Sequence, residues 1–284
     1  MNTDAISALE SALPYDPDAP LRPGIERTSE ELQVSVSWLR YTGIRKRRVT
    51  SILVEPEQGG PCPGLVCLHE ARTSFLSEAR ALAADGFVSL LIDAPAMRPE
   101  PYTVKPDLHD PKSVRASYLQ SIGDVRRGFD VLAQLEAVDR RRLGYVGRHY
   151  GADLAAAVAV LEPRVKAVVS IAGMPRQSGF WRESKHPMVM KRTEELGRRG
   201  VERLADAIAD FDVITVIENA ALIGWLFQFA IEDDLILSAD TERLKRVAPE
   251  GARFSFHEDG RSLESIRPET ERRRWLEEKL LLPP

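Results

Sequence analysis

The stretch that decides the predicted fold is residues 143–153, LGYVGRHYGAD. It contains a short apolar run followed by Gly147, three further residues and Gly151, and a helical pattern begins directly after the second glycine. Two glycines at this spacing allow a strand and a helix to pack closely around a sharp turn, which pushes the central side chain out above the sheet. That central residue is His149, and the amide that follows it points into the same space from the start of a helix.

Short apolar runs alternate with helical patterns on both sides of this turn. Residues 64–69, 87–92 and 165–171 are almost continuously apolar, as strands buried on both faces are. Residues 117–135 have the spacing of a long amphipathic helix. The alternation predicts an α/β fold with a doubly wound, mostly parallel sheet and helices on both of its faces.

Two segments depart from this alternation. Residues 1–31 contain four closely spaced prolines, which predict an extended N-terminal arm in front of one large domain, residues 32–284. Residues from about 174 to 210 are rich in Arg, Lys and Glu and predict a helical lid inserted into that domain. Within this insertion, Phe180 and Trp181 either line a pocket or pack the insertion onto the domain.

Composition and charge narrow the function classes. Of 284 residues, 39 are Lys or Arg and 43 are Asp or Glu, which gives a formal net charge of −4. This mild acidity gives no general reason to bind nucleic acid or a membrane surface, so neither is expected as a partner. No apolar run reaches the roughly 18 residues of a membrane span, and the first residues lack the basic region of a signal peptide. We therefore expect a cytoplasmic protein whose partner is a small-molecule ligand or substrate, and a homodimer is the one assembly that we consider.

Neither a metal nor a cofactor is expected. The two cysteines are too few for a disulfide framework or a cysteine-based zinc site. A metal held by His149, Asp233 and a residue at the end of the third predicted strand is the alternative, but no HxH, HxxxH or HxxE spacing supports it.

Six fragments, in their order and spacing, match the pattern of a known family. They are residues 15–20 (YDPDAP), 68–69 (LH), 93–95 (DAP), 142–147 (RLGYVG), 162–167 (EPRVKA) and 227–229 (FQF). Over nearly its whole length the chain resembles the α/β-hydrolase superfamily, in its dienelactone hydrolase-like branch. The resemblance implies the α/β-hydrolase fold, a nucleophile at the sharp turn, an acid after the strand that contains the last fragment, and a base in a loop near the C-terminus.

At two of these three positions the chain departs from the family pattern. The nucleophile, normally Ser, falls on His149; the acid falls on Asp233; and the base, normally His, falls on Arg261. Serine-type acyl transfer needs an activated hydroxyl or thiol and a base that takes its proton. Arg261 cannot be that base, because a guanidinium keeps its proton up to a pKa above about 12. Hydrolysis by the family's usual mechanism therefore does not follow from the sequence.

The region that helps to bind an oxyanion in the family is also altered. The motif at the end of the third strand normally reads His-Gly or a variant of it, and here it reads His69-Glu70-Ala71. The amide of Tyr150 completes the expected oxyanion region. An ionised Glu70 would repel an oxyanion, although some dienelactone hydrolase-like proteins carry Glu just after this strand.

Three functions remain open. In the first, His149 is a general acid or base, Asp233 fixes its tautomer and Arg261 binds a carboxylate or enolate, in isomerase, lyase, decarboxylase or cyclase chemistry on a small carbonyl compound. In the second, the chain is a non-catalytic ligand receptor or partner protein that has kept the fold and lost the triad. In the third, it is a weak esterase that uses the imidazole of His149 as its nucleophile. The first function predicts an enclosed pocket beside His149.

Overall fold

One sheet of mixed strand direction forms the centre of the molecule. The computed structural model describes residues 3–31, 33–57, 60–220, 222–259, 263 and 265–281, and the statements below concern those residues. The strands are β1 (Gly24–Glu31), β2 (Val34–Thr42), β3 (Arg48–Pro56), β4 (Cys62–His69), β5 (Val88–Asp93), β6 (Val138–Arg148), β7 (Val165–Ile171), β8 (Gly224–Glu232) and β9 (Arg253–Asp259). Their order across the sheet is β1-β2-β3-β5-β4-β6-β7-β8-β9. The pairs from β1 to β5 are antiparallel, and every pair from β5 through β4 to β9 is parallel.

Helices connect the parallel strands. They are α1 (Thr3–Ala12), α2 (Leu76–Ala84), α3 (Pro111–Gln134), α4 (Tyr150–Asp153), α5 (Ala155–Leu161), α6 (Gln177–Glu183), α7 (Pro187–Ile208), α8 (Val213–Val216), α9 (Ser238–Val247) and α10 (Ile266–Leu276). None of the described helices combines the length and the apolar character needed to cross a membrane.

The central strands are buried on both faces, and successive side chains of one strand enter two separate cores. On β4, Val66 and Leu68 pack in the core that contains α3 and α5. Leu65 and Cys67 pack in the core that contains α2 and α10. This division follows from the pleat of a strand, which sends alternate side chains to opposite faces. The predicted doubly wound, mostly parallel sheet is thereby confirmed.

The proline-containing part of the N-terminal segment lies against α3. Tyr15 donates a hydrogen bond to Asp130 (2.9 Å). Arg127 donates to the carbonyl oxygens of Asp16 (3.0 Å) and Pro17 (3.3 Å), and its side chain is only 2% exposed. Charge-assisted bonds from a buried guanidinium are strong, so this contact fixes the arm on the domain.

The segment predicted as an arm, residues 1–31, also contains regular structure. Helix α1 precedes the prolines, and β1 follows them and pairs antiparallel with β2. The sequence of β1, GIERTSEE, gives no apolar signal because β1 is an edge strand, and charged residues are common on such strands. Helices α6 to α8 lie between β7 and β8, where the sequence predicts a lid over about 174–210. That these helices open and close stays a prediction.

A very close backbone contact occurs where β6 leads into α4. A Cβ atom added at Gly151 would lie 1.9 Å from the carbonyl oxygen of Leu68 on β4. One added at Gly147 would lie 2.5 Å from the carbonyl carbon of Gly151. Since no side-chain carbon can approach that closely, β4, β6 and α4 pack in this way only with glycine at both positions.

Replacing Gly151 with Ala should therefore destabilise the fold, because the new methyl group meets backbone rather than a flexible side chain. We expect the free energy of unfolding, measured by urea denaturation, to fall by about 3 kcal/mol or more. Gly24→Ala is the matched control, since its Cβ would meet nothing nearer than 3.8 Å. That control should change the free energy of unfolding by less than about 0.5 kcal/mol. Equal losses in the two variants would contradict the packing argument.

Candidate active site

His149 occupies the apex of the turn between β6 and α4. Its backbone has φ 46° and ψ −114°, an uncommon conformation that histidine tolerates better than most residues. Its amide donates to the carbonyl oxygen of Ile171 (2.9 Å), and its carbonyl oxygen accepts from the amide of Asp153 (2.9 Å). These bonds hold the strained backbone from both sides, and the exposed side chain stands at the carboxyl ends of the parallel strands.

A second imidazole lies next to that of His149. The rings of His69 and His149 have centroids 5.5 Å apart and an angle of 80° between their planes. His69 ends β4, and its Nδ1 atom is 2.7 Å from Oε2 of Glu70. Neither of these two atoms makes a hydrogen bond of normal geometry, so the contact acts through charge and proximity. The site thus contains an imidazole pair in which one ring lies against a carboxylate.

Burial and nearby charges determine whether His149 and Glu70 are ionised. Partial desolvation lowers the pKa of His149, and the charges of His69 and Arg148 act in the same direction. The carboxylates of Glu70 and Asp233 oppose this shift without reversing it. Burial acts to raise the pKa of Glu70, but the close contact with His69 and the charge of that ring lower it overall. At neutral pH, His149 is therefore mainly an uncharged base, and Glu70 is ionised.

Asp233 lies near this pair but does not contact it. It follows β8, and its Oδ1 atom accepts from the amides of Leu235 (2.8 Å) and Ile236 (3.1 Å). The described atoms of Asp233 and His149 form no hydrogen bond with each other, and the charge of Asp233 acts to raise the pKa of His149. That Asp233 fixes the tautomer of the imidazole stays a prediction. The other predicted residue, Arg261, lies outside the residues that the structure describes. Within the described part of the chain, no group of three His, Cys, Asp or Glu side chains is arranged to hold a metal ion.

The predicted oxyanion region is only partly directed at His149. Tyr150 is the first residue of α4, so its amide has no acceptor within the helix. Its hydroxyl instead lies 2.8 Å from that of Ser121 on α3, and burial raises the pKa of Tyr150 to about 12. The carbonyl oxygen of Ala71 accepts from the amide of Ser74 (3.1 Å). Of these residues, the amide of Tyr150 is the group suited to stabilise negative charge beside His149.

A pocket of about 350 Å³ opens beside the residues that follow the two histidines. Glu70 and Tyr150 both line it, whereas His149 is not among its described lining residues. Ser117, Tyr118 and Gln177 add polar groups. The remaining wall is mostly apolar and comes from the segment after β5, from α3 and from the inserted helices: Ala94, Pro95, Ala96, Met97, Pro106, Leu108, Val114, Trp181, Leu204 and Ile208.

The two aromatic residues of the insertion have different surroundings. Trp181 of α6 lines the pocket and also packs against the core that contains α3 and α5. Phe180 is buried, and its ring lies against those of Trp181 and His186 within the insertion.

Asp153 connects the turn to the start of the inserted helices. Its carboxylate accepts from the amide of Met174 (2.6 Å) and from the side-chain amide of Gln177 (2.9 Å), and Gln177 in turn accepts from the hydroxyl of Tyr118. Burial raises the pKa of Asp153 to about 8; the bond from Met174 opposes this shift, and the charge of Glu70 adds to it. Asp153 is thus largely protonated at neutral pH, close to an ionised carboxylate.

A serine does lie within hydrogen-bond distance of a histidine elsewhere in the fold. On β9, Ser255 Oγ is 2.9 Å from His257 Nε2. Ser255 donates its hydroxyl hydrogen to Glu271 (2.6 Å), so His257 is the donor in their contact and is not placed to take the proton of the serine. Glu271 also accepts from Gln228 (2.9 Å). We interpret this cluster, on the far edge of the sheet from the turn, as a structural link between β8, β9 and α10.

Known structures decide how this fold is classified. No protein-family model matches the chain, and no curated protein sequence matches it. The acetyl xylan esterase from Paenibacillus sp. R4 superposes with a TM-score of 0.75 at 20% sequence identity, over 98% of this chain and 93% of that one. The chain has the α/β-hydrolase fold.

Two further structures support the same conclusion. Acetyl xylan esterase 1 from Thermoanaerobacterium sp. JW/SL YS485 has a TM-score of 0.71 at 17% identity, over 90% of this chain and 87% of that one. The 2,6-dihydroxy-pseudo-oxynicotine hydrolase has a TM-score of 0.65 at 18% identity, over 97% of this chain and 72% of that one. At such low identity the likeness concerns the α/β-hydrolase fold, and activity has to be argued from the site.

The buried acid beside the turn gives stability a defined pH dependence. The pKa of Asp153 is about 8 in the folded chain and about 3.9 in the unfolded chain. At a pH between these two values, the folded chain keeps Asp153 protonated, and unfolding releases that proton. Its contribution to stability is therefore present at low pH and is lost as the pH rises through about 8. In urea denaturation, Asp153→Asn should remove a slope of up to about 1.4 kcal/mol per pH unit across this window. A difference between the two proteins that is constant with pH, or that grows in the opposite direction, would contradict the assignment.

Proposed function

We propose that this protein is a serine-independent acid–base enzyme that acts on a small, largely apolar carbonyl compound. The observation that carries the proposal is the imidazole pair. His149 stands at the apex of the turn, and its ring centroid is 5.5 Å from that of His69, whose Nδ1 atom lies 2.7 Å from Oε2 of Glu70. A base needs a fixed position, a lone pair at working pH and a partner that exchanges protons. The turn fixes the position of His149, and its lowered pKa leaves a lone pair on the ring at neutral pH. His69 is the partner that exchanges protons.

Ordinary ester hydrolysis has less support. The apex of the turn carries neither a hydroxyl nor a thiol. Ser255, whose hydroxyl lies near the ring of His257, donates its proton to Glu271 at the edge of the sheet that β9 forms. A charge-neutral imidazole is better suited to remove a proton from carbon next to a carbonyl group.

In the proposed reaction, His149 removes that proton as the carbonyl oxygen gains negative charge. The amide of Tyr150, at the start of α4, donates to this oxygen. His149 then carries this proton as an imidazolium and returns it to the second substrate position, while His69 is the neighbouring base that can take the proton from it. An isomerisation needs both the removal and the return of the proton. An elimination needs only the removal, since the leaving group departs with its electron pair, and a decarboxylation needs only the protonation of the carbon that loses CO₂.

The pocket limits the substrate class. A volume of about 350 Å³ is at the small end of the range for ligand sites, and its wall is mainly apolar. Ser117, Tyr118 and Gln177 supply the few polar contacts that would orient a bound molecule. The expected substrate is thus a small molecule with an apolar body and one carbonyl group directed toward the amide of Tyr150.

A non-catalytic ligand receptor is the second candidate. It is favoured by the fact that His149 is not among the described lining residues of the pocket, so that a ligand could fill it without contact with the imidazole. This function predicts ligand-induced thermal stabilisation without any chemical change in the ligand.

Proton removal can be tested without knowledge of the full reaction. The protein is incubated in deuterated buffer with a panel of small ketones and keto acids, and NMR measures deuterium uptake next to the carbonyl group. His149→Asn, which tolerates the positive φ of the turn, should slow this uptake by about 10²–10⁴-fold. His109→Ala, at an exposed loop histidine, is the control and should leave uptake unchanged. Full uptake in His149→Asn would eliminate the proposed role, and binding without uptake would favour the receptor.

The pH profile of uptake tests the charges around the base. Because uptake needs the neutral form of His149, the rate should fall as the pH drops through a pKa below 6.5. Glu70 raises this pKa more than Asp233 does, so Glu70→Gln should move the midpoint to lower pH, and Asp233→Asn should move it less in the same direction. A midpoint that moves upward in Glu70→Gln would contradict the assignment of His149 as the titrating base.

A covalent adduct on the imidazole would distinguish the weak-esterase function from the acid–base reaction. Turnover of an aryl ester with an acyl group trapped on His149, detected by mass spectrometry, would support a nucleophilic imidazole in place of the acid–base reaction.

A further inference from the structure

A second cavity, of about 680 Å³, lies between the N-terminal arm and the turn that joins β2 to β3. It shares no lining residue with the pocket beside His149. Five cationic side chains line it, Arg22, Arg45, Lys46, Arg48 and Arg127, together with one carboxylate, Asp16.

Most of this positive charge is not neutralised locally. Arg127 pairs with Asp130 (2.7 Å). Arg48 donates to the carbonyl oxygens of Arg22 (2.9 Å) and Arg40 (3.0 Å), which are uncharged acceptors. Among the described residues, no carboxylate forms an ion pair with any of the other lining cations. A concentration of unpaired positive charge in a protein of net charge −4 indicates a preference for an anion.

The backbone at three of these cations is unusual. Arg22, Arg45 and Lys46 have φ values of 45°, 52° and 57°. Positive φ is uncommon outside glycine, asparagine and aspartate, and long cationic side chains gain nothing from it. Together with His149, these residues make up most of the non-glycine positive-φ positions of the described chain. Such backbone conformations concentrate at functional sites, where the side chain has a reason to be kept.

The cavity is built on rigid elements. Arg127 joins α3 to the carbonyl oxygens of the arm, and the amide of Ile44 donates to Asp124 of α3 (3.1 Å). Apolar wall is supplied by Pro14, Pro20 and Ile44. The site therefore combines a preformed apolar wall with a cationic rim, the combination that suits an organic anion better than a simple inorganic ion.

We propose that this cavity binds an organic phosphate of nucleotide size, with its phosphate groups on Arg22, Arg45 and Lys46 and its organic body against Pro14, Pro20 and Ile44. Guanidinium and ammonium groups bind phosphate through charge-assisted hydrogen bonds. The volume lies within the range of small-molecule sites, and a concave space walled by the arm fits a single small molecule better than a flat membrane or an extended nucleic acid.

Calorimetric titration of the full chain with ADP, AMP and inorganic pyrophosphate tests this. We expect saturable binding tighter than about 1 mM, strongest for ADP because only it offers two phosphates and an organic body. The double variant Arg45→Gln with Lys46→Gln should bind ADP at least tenfold more weakly. Arg140→Gln with Lys166→Gln is the matched control, since it removes one Arg and one Lys that are exposed elsewhere. This control should bind as the unmodified protein does.

A further variant separates loss of the ligand from loss of the fold. Lys46→Gly removes one cation and at the same time suits the positive φ, so it should raise the melting temperature and still weaken ADP binding. Three results would overturn the proposal: no saturable binding of any of the three probes, an equal loss in the control variant, or retention on phosphatidylserine vesicles or single-stranded RNA that depends on Arg45 and Lys46 while ADP binding does not.

Discussion

The contact between Gly151 and the backbone of Leu68 is the constraint on which the site depends. Helix α4 can approach β4 so closely only because residue 151 has no side chain, and the hydroxyl of Tyr145 donates to the carbonyl oxygen of Gly151 (2.8 Å) from within the core. Leu68 directly precedes His69, and Gly151 lies two residues after His149. The packing that joins strand to helix therefore also sets the distance between the two imidazoles, before any polar contact is made.

Much of the fold is predictable because strands that are buried on both faces have continuous apolar sequences. Continuous apolar runs identify the central strands within a few residues, and β7 has the same limits in sequence and structure. The helix predicted over 117–135 begins earlier, at Pro111. Its start has a typical N-terminal signal, since Asp110 accepts from the amides of Lys112 (3.0 Å) and Ser113 (3.2 Å) and a proline follows it. The sequence of β1 has no such apolar run, because a strand that pairs with one neighbour at the sheet edge does not need apolar side chains.

The candidate site is predictable only where the backbone pattern determines it. The glycine spacing locates His149, and the strand order locates Asp233 at the same edge of the sheet. The contact between His69 and His149 is different, since the two residues are 80 positions apart in sequence and are joined by the parallel pairing of β4 with β6. The pocket depends on loop and insertion residues such as Met97, Leu108 and Trp181, whose meeting point no local pattern specifies.

The replacement of a nucleophile by an imidazole changes what the same geometry can do. A turn that fixes one side chain above the sheet serves a base as well as a nucleophile, because both need a defined direction toward the substrate. The surroundings then decide the chemistry. Glu70 is held ionised by His69, whereas burial keeps Asp153 largely protonated with a pKa of about 8, and the charge of the first raises the pKa of the second. Of these two carboxyl groups, Glu70 is the one whose charge raises the pKa of His149 against the effect of burial. Burial is the main cause of the shift of Asp153, and a buried acid keeps its proton whatever the function of the site. A base at the apex is therefore supported by the position of His149 and by the charge of Glu70 beside it.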